Sequence, residues 1–361
     1  MKRFLFFIWL LLFAKTVADA VAVRTDETPN DNNVFIITLD GLRWQEVFTG
    51  ADSLLLRRNP GEAAALRPLF WDARPERRRQ KLMPFFWSRI AAHGLLLGNR
   101  RYGNRVDVAN LYALSYPGYN ELFTGRPDPA IWSNDRLLNQ NVTVLEYLND
   151  NAALAGKVAA FTSWNLFPYI LNKKRSGLYI DVAPGPRPLA SLLHLGDSLQ
   201  RSASPDPSVR NDFLTYKAAR AYILAHRPRV VHLGLGGTDL YGHLNRYGDY
   251  LRQIRLADNI IHWLWQLVES SSFYRGRTTF IITTDHGRGG EAHNWHEHGL
   301  LVKGSSQTWM ALLGNGVPAH GEMRRPLQVY QKQVAGTIGY FLHLTSYNSL
   351  VLPLSLLAPV R

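Results

Sequence analysis

The stretch TTFIITTDHGRGGEAHNWHEHG, Thr278 to Gly299, decides how this chain is read. It opens on a β-branched and aromatic run, Thr278 to Thr284, with the composition of a buried strand. The run ends at Asp285-His286-Gly287. A glycine-rich turn follows, and then three more histidines: His293, His296 and His298. A carboxylate beside an imidazole at the C-terminal end of a strand suits a divalent cation such as zinc. A solvated, histidine-rich loop is the bland alternative, and the remainder of the chain weighs against it.

Val34 to Leu39 (VFIITL) has the same grammar, an apolar strand running into Asp40-Gly41. In parallel α/β sheets functional side chains gather beyond the carboxyl ends of strands, so two such ends can place both carboxylates in one crevice. A third strand, Arg229 to Leu235, runs into Gly236-Gly-Thr-Asp239-Leu-Tyr-Gly-His243. Asp239 and His243 stand four apart, the spacing of two ligands on one helical turn. His232, inside that strand, reads as a core histidine.

Between these strands lies LYALSYPGYNELFTGR, Leu111 to Arg126, with Ser115 ahead of a helical segment that closes at Gly125. Serine there is a plausible N-cap. At a helix N-terminus it also faces free amides and the positive end of the dipole, where a metal can hold it as an alkoxide nucleophile.

Further strands are expected at Lys157 to Phe161 and Trp309 to Leu313. Helices are expected at Leu82 to Ala92, Asn141 to Asn149, Asn211 to His226 and Val329 to Phe341. A long amphipathic helix runs through Tyr250, Ile254, Ala257, Ile261, Leu264 and Val268. Strands alternating with helices argue an α/β fold: a central, mostly parallel sheet with helices on both faces. Ala51 to Lys81, rich in Arg and Pro, reads as an irregular excursion, and its run Arg74 to Lys81 as a solvated face. Lys173 to Pro188 and Ser202 to Ser208 read as loops. Asn141-Val142-Thr143 is a glycosylation sequon that matters only in a eukaryotic secretory route.

The first residues bound the compartment. Lys2 and Arg3, the apolar run Phe4 to Phe13, and Ala18-Asp19-Ala20 form the pattern of a cleaved signal peptide, residues 1–20. The run is shorter than the roughly 20 residues of a membrane span. The expected product is exported, periplasmic or secreted, without a spanning segment. It is one domain over 21–361, with an insertion around 51–81 and a loop-rich region around 173–210. Losing Lys2, Arg3, Lys15 and Asp19 takes the net charge from +13 to +11. Such a balance suits phosphorylated small molecules or anionic envelope components as partners, and equally suits a protein that is simply soluble and basic; a nucleic-acid motif is lacking. Cysteine is absent, which excludes disulfides, zinc–thiolate sites and cysteine nucleophiles.

Asp40, Asp239 with His243, Asp285 with His286, and the His293–His298 cluster exceed what one tetrahedral metal needs. They fit two adjacent cations that clamp the attacking and leaving oxygens of a phosphoryl transfer. The ordered motifs are LDG at Leu39–Gly41, SYPGYNELFTG at Ser115–Gly125, TDLYGH at Thr238–His243, TDHG at Thr284–Gly287 and HG at His298–Gly299. Together they resemble the alkaline phosphatase superfamily, which also holds nucleotide pyrophosphatase/phosphodiesterases, sulfatases and cofactor-independent phosphoglycerate mutases.

The resemblance implies that Asp40, Asp285 and His286 hold one metal and that Asp239, His243 and His298 hold the other. Ser115 is then the nucleophile beside the first metal. Asn134 is the candidate for holding a phosphate oxygen, as an asparagine does in the phosphodiesterase branch. His298 is chosen over His296 on its HG pair, which leaves His293 and His296 as supporting donors or loop residues. Mixed Asp/His ligands favour zinc, and manganese suits them too. The implied activity is hydrolysis of a phosphate monoester or diester through a phosphoseryl intermediate. Transfer of a phospho-substituent to an envelope component is a second reading, and a catalytically degenerate metal-binding protein a third. A sulfatase is disfavoured, because Tyr119 stands where that branch has arginine. Of the aromatic residues near the motifs (Trp44, Tyr116, Tyr119, Trp164, Phe167 and Trp295), one or two are expected to face a leaving group and the rest the core.

Overall fold

Eleven strands and their connecting helices are seen in a computed structural model that describes residues 29–182, 204–344, 354, 356 and 357. The signal segment and positions 183–203 of the expected loop-rich region lie outside the described residues. The strands are β1 (Asn33–Leu39), β2 (Leu95–Leu97), β3 (Asn104–Asp107), β4 (Val158–Thr162), β5 (Tyr179–Asp181), β6 (Val230–Leu235), β7 (Thr278–Thr283), β8 (Gln307–Thr308), β9 (Met310–Gly314), β10 (Gly321–Glu322) and β11 (Leu327–Tyr330).

Eight strands form one sheet in the order β10-β2-β9-β7-β1-β6-β4-β5, and β11-β3-β8 form a second. From β7 across to β5 every pairing is parallel, and β9 runs antiparallel to both of its neighbours. This is the mostly parallel α/β sheet expected from the alternation of elements. Its centre is buried on both faces, which is why β1, β6 and β7 read as near-continuous apolar runs. Along β1 the side chains still alternate: Phe35, Ile37 and Leu39 enter one core cluster, Val34 and Ile36 the other. Helices Asp212–His226 and Tyr247–Ser270 cover the first face. Helices Ser115–Thr124, Val144–Asp150 and Gln333–Phe341 cover the second.

Register positions the site. Thr38 pairs with Gly234 on one side and Thr283 on the other. The three central strands therefore stop flush, and Asp40, Gly236 and Asp285 emerge at one level of the sheet.

Several expectations are corrected. The stretch read as irregular contains helices at Ser53–Arg57, Pro60–Phe70 and Pro75–Leu82. Pro60 and Pro75 sit in first turns, where a missing N–H costs nothing, Pro68 lies inside the second helix, and Asp52 and Asn59 cap the first two helices. The Arg74–Lys81 run is not wholly solvated. Arg79 is buried, its guanidinium 3.5 Å from the Trp87 ring centroid and Nη1 2.8 Å from Glu322 Oε1.

The helix expected over Leu82–Ala92 is present over 84–93, but its middle is a π-helical turn, Phe86–Ile90, running into Ala91–His93. Asp258 on a neighbouring helix accepts from the Phe85 and Phe86 amides at 2.9 and 2.8 Å, so the cap comes from outside the segment. Within the loop-rich region, Lys173–Ser176 is a helical turn capped by Asn172, and β5 adds an edge strand beside β4. The closing helix begins at Gln333, because Val329 belongs to β11.

Candidate active site

All but one of the proposed ligands sit just past the end of a strand. Asp40 follows β1 and Asp285 follows β7. Asp239 and His243 lie on the helix Gly237–His243 that leaves β6. Asp212 prepares that departure by accepting from the Gly236 and Gly237 amides at 2.9 and 3.0 Å and from Ser163 Oγ at 2.6 Å. His298 comes from the loop beyond β7, and its Nδ1 donates to the carbonyl of Ala113 at 3.0 Å.

The structure brings six of these residues together in two groups, Asp40–Asp285–His286 and Asp239–His243–His298, each compact enough to hold an ion. In the first group, Asp40 Oδ2 accepts from Tyr119 Oη at 3.1 Å and Asp285 Oδ1 from the Gly41 amide at 3.0 Å. The other oxygens, Asp40 Oδ1 and Asp285 Oδ2, are buried without a hydrogen-bond partner. They stand 3.6 and 3.5 Å from His286 Nε2. His286 Nδ1 donates to the Gly287 carbonyl at 2.9 Å, which leaves Nε2 with its lone pair. Two orphaned carboxylate oxygens and one imidazole lone pair meeting at a buried point are a donor set for a divalent cation.

In the second group, Asp239 Oδ2 is 3.2 Å and His298 Nε2 3.1 Å from His243 Nε2. The His286 and His298 rings stack with centroids 3.9 Å apart, so the two groups adjoin.

The electrostatics agree with this donor set. Burial, followed by the charges of Asp285 and Asp239, raises the Asp40 carboxyl well above the usual range. Burial and Asp239 push Asp285 up to about 7. Burial also raises Asp239, but Arg288 and then His243 outweigh it and hold this carboxylate well below the usual range. Burial lowers His286 to about 4, and burial with neighbouring His286 lowers His298 to about 2. Both imidazoles are thereby kept neutral, the form that ligates.

Ser115 does not cap its helix. Leu114 is the N-cap and Ser115 the first helical residue, its Oγ turned 3.2 Å from His286 Nε2. Asn134 Oδ1 accepts from the Tyr116 amide at 2.9 Å, so one free amide of the helix start is already taken. With that oxygen committed, Nδ2 is the donor Asn134 can offer. Both residues line a cleft of about 480 Å³ together with Asp40, Asp239 and His243. Trp164, Pro207, Leu240 and Leu244 also line it.

The remaining candidates are placed elsewhere. The His296 ring joins neither group, and its carbonyl accepts from Arg288. His293 is exposed. His232 is a core residue, 3.0 Å from Thr38 Oγ1 and lowered to about 3 by burial. Of the six aromatics only Trp164 lines the cleft; Tyr116, Tyr119, Phe167 and Trp295 are core, and Trp44 donates to Gln307.

Two contributors escaped the sequence reading. Arg288 is fully buried and bonds Asp239, and its only sequence signal is a charge inside the glycine-rich DHGRGG turn. Glu121 accepts from the Ala109 and Asn110 amides and so shapes the approach to Ser115. On the helix of a candidate nucleophile it reads simply as a surface charge.

No protein-family model matches the chain, and no curated protein does. Solved structures do match. The lipoteichoic acid synthase LtaP from Listeria monocytogenes superposes with a TM-score of 0.60 at 10% identity, over 91% of this chain and 76% of that one. A phosphonate monoester hydrolase of Agrobacterium radiobacter gives 0.55 at 12%, over 86% and 74%. A mutant of the alkaline phosphatase PafA gives 0.54 at 11%, over 91% and 99%. At such identities the likeness is one of fold: the chain has the alkaline-phosphatase-like α/β fold.

Proposed function

We propose that the protein is an exported phosphate-ester hydrolase that uses two divalent cations and a phosphoseryl intermediate on Ser115. The observation that carries this reading is the position of Ser115 Oγ, 3.2 Å from His286 Nε2 at the point where two orphaned carboxylate oxygens also converge. Asp40, Asp285 and His286 would hold one cation, and Asp239, His243 and His298 the other. Such a pair lowers the pKa of a hydroxyl and stabilises charge on entering and leaving oxygens.

The chain's own groups supply the rest. The helix start directs Ser115 Oγ into the cleft, where it attacks phosphorus as the bond to the departing alcohol breaks. Asn134 Nδ2 is placed to hold a non-bridging oxygen. Trp164, Leu240 and Leu244 face the alcohol half of the ester. Water then attacks the phosphoserine and releases phosphate, or a monoester where the substrate was a diester.

Zinc suits three carboxylates and three imidazoles, and manganese is the second choice. The leader at residues 1–20 supports export to the periplasm or medium. Among the described residues no helix is long and apolar enough to cross a membrane. The substrate is taken to be a phosphorylated small molecule or envelope component rather than nucleic acid.

Ser115→Ala should abolish turnover of p-nitrophenyl phosphate and of its bis-ester while metal content is retained. Full activity in that variant rules the reading out. The likeness to LtaP favours one second reading, transfer of a phospho-substituent to an envelope acceptor, and product analysis with a polyol acceptor separates transfer from hydrolysis.

A further inference from the structure

The two ligand groups are not equivalent, and the difference lies in Arg288. This side chain is fully buried, and every bond it makes is to the site's own frame. Nη2 bonds Asp239 Oδ1 and, at 3.1 Å, the Asp239 carbonyl; Nε reaches the Gly41 carbonyl at 3.2 Å; Nη1 bonds the His296 carbonyl. The surrounding backbone is shaped to admit it. A Cβ at Gly41 would stand 2.9 Å from Arg288 Nε and 2.6 Å from Asp239 Oδ1, and one at Gly242 would stand 2.7 Å from Arg288 Cζ. Neither glycine could carry a side chain without displacing the guanidinium.

The consequence is an uneven distribution of charge. Asp40 and Asp285 each keep one oxygen that no protein donor reaches, and with His286 they are buried. Asp239 is the only carboxylate of the second group, and a fixed guanidinium already holds one of its oxygens. Its partners are two imidazoles, and the side chain of one of them, His243, is 53% exposed.

We infer that Arg288 makes the two cation positions unequal: Asp40–Asp285–His286 fills first and tightly, while Asp239–His243–His298 binds its ion weakly and exchanges it with solvent. Arg288 is a positioning residue in this scheme. It orients Asp239 so that Oδ2 faces His243, and its charge opposes the arriving cation. The inference rests on the two-cation reading above.

The test is equilibrium dialysis of the full mature protein against graded free Zn²⁺, and separately Mn²⁺, with bound metal counted per chain. Two steps are expected, separated by about 100-fold or more in free metal, given how strongly a unit charge acts at such range. His243→Ala should remove the weaker step alone, and Asp285→Asn the tighter. Arg288→Met, which removes the charge, should bring the steps to within about tenfold of each other. Arg288→Lys, which keeps the charge, should leave them apart; a purely structural latch would make the Lys and Met variants alike.

Two ions bound with equal affinity by the unmodified protein, or loss of the tight step in His243→Ala, overturns the inference whether or not the Arg288 variants fold. A chain that retains no ion at all overturns the two-cation hydrolase with it.

Discussion

The carbonyl oxygen of Ala113 receives the Nδ1 proton of His298 at 3.0 Å, and the backbone that presents it is left-handed, with φ at 47°. One strained residue thus serves both halves of the site. It sets the tautomer of His298 so that Nε2 carries the lone pair, and it turns the chain into Ser115 two residues later. Asn110 Oδ1 holds the turn from the Ala113 amide at 2.9 Å. A non-glycine residue in this region costs about 1–2 kcal/mol, and a β-branched one more. Ala113→Gly should therefore stay within about 1 kcal/mol of the parent in urea unfolding. Ala113→Val should lose roughly 2 kcal/mol or more, with most of the turnover.

The Tyr119 hydroxyl is spent on Asp40, donating to its Oδ2 at 3.1 Å. Removing a group that orients a ligand typically costs 10–100-fold in metal affinity. Tyr119→Phe should accordingly weaken retention of the tightly held ion by roughly that factor, read by dialysis against a competing chelator. Unchanged retention would mean that this hydroxyl serves packing alone.

Chelation should destabilise the protein. A ligand held at about 100 times its Kd adds roughly 2.7 kcal/mol to the folded state, so stripping tightly bound metal should lower Tm by several degrees. Asp285→Asn separates the contributions. Its amide oxygen can still accept from the Gly41 amide, and it removes the charge that repels Asp40. In chelator this variant should match or exceed the parent in Tm, and added metal should raise it much less than it raises the parent, through the weaker position alone.

Asp212 and Asp258 give a pH signature at carboxyls outside both ligand groups. Burial raises both carboxyls to about 6, although each accepts backbone amide bonds. Between about pH 4 and 6 the unfolded chain has released these protons and the native state still binds them. Stability therefore falls as pH rises through that window and levels off above it, by up to roughly 3 kcal/mol for each group. Asp258→Asn should flatten this fall when urea midpoints are compared with the parent at each pH. An unaltered slope would place the native Asp258 carboxyl in the ordinary range.

Period and punctuation made much of the architecture readable. VFIITL, RVVHLGL and TTFIITT are apolar runs of the kind that strands buried on both faces require, and each is followed by an acid or a glycine. The long helix Tyr247–Ser270 is written in its three- and four-residue spacing. What misled was proline and charge. The proline-rich stretch Ala51–Lys81 reads as irregular although Pro60 and Pro75 are helix starts, and the arginine run reads as solvated although Arg79 folds onto Trp87 and Glu322.

The chain by itself determined which side chains can bind a cation and on which strand ends they stand, because those are matters of residue type and local period. Their meeting was decided by the sheet. Parallel pairing of Thr38 with Gly234 and Thr283 stops three strands at one height, across sequence separations no local pattern encodes. Tertiary structure alone also brought Arg288 onto Asp239, since a buried charge finds its partner through space, 49 residues away along the chain.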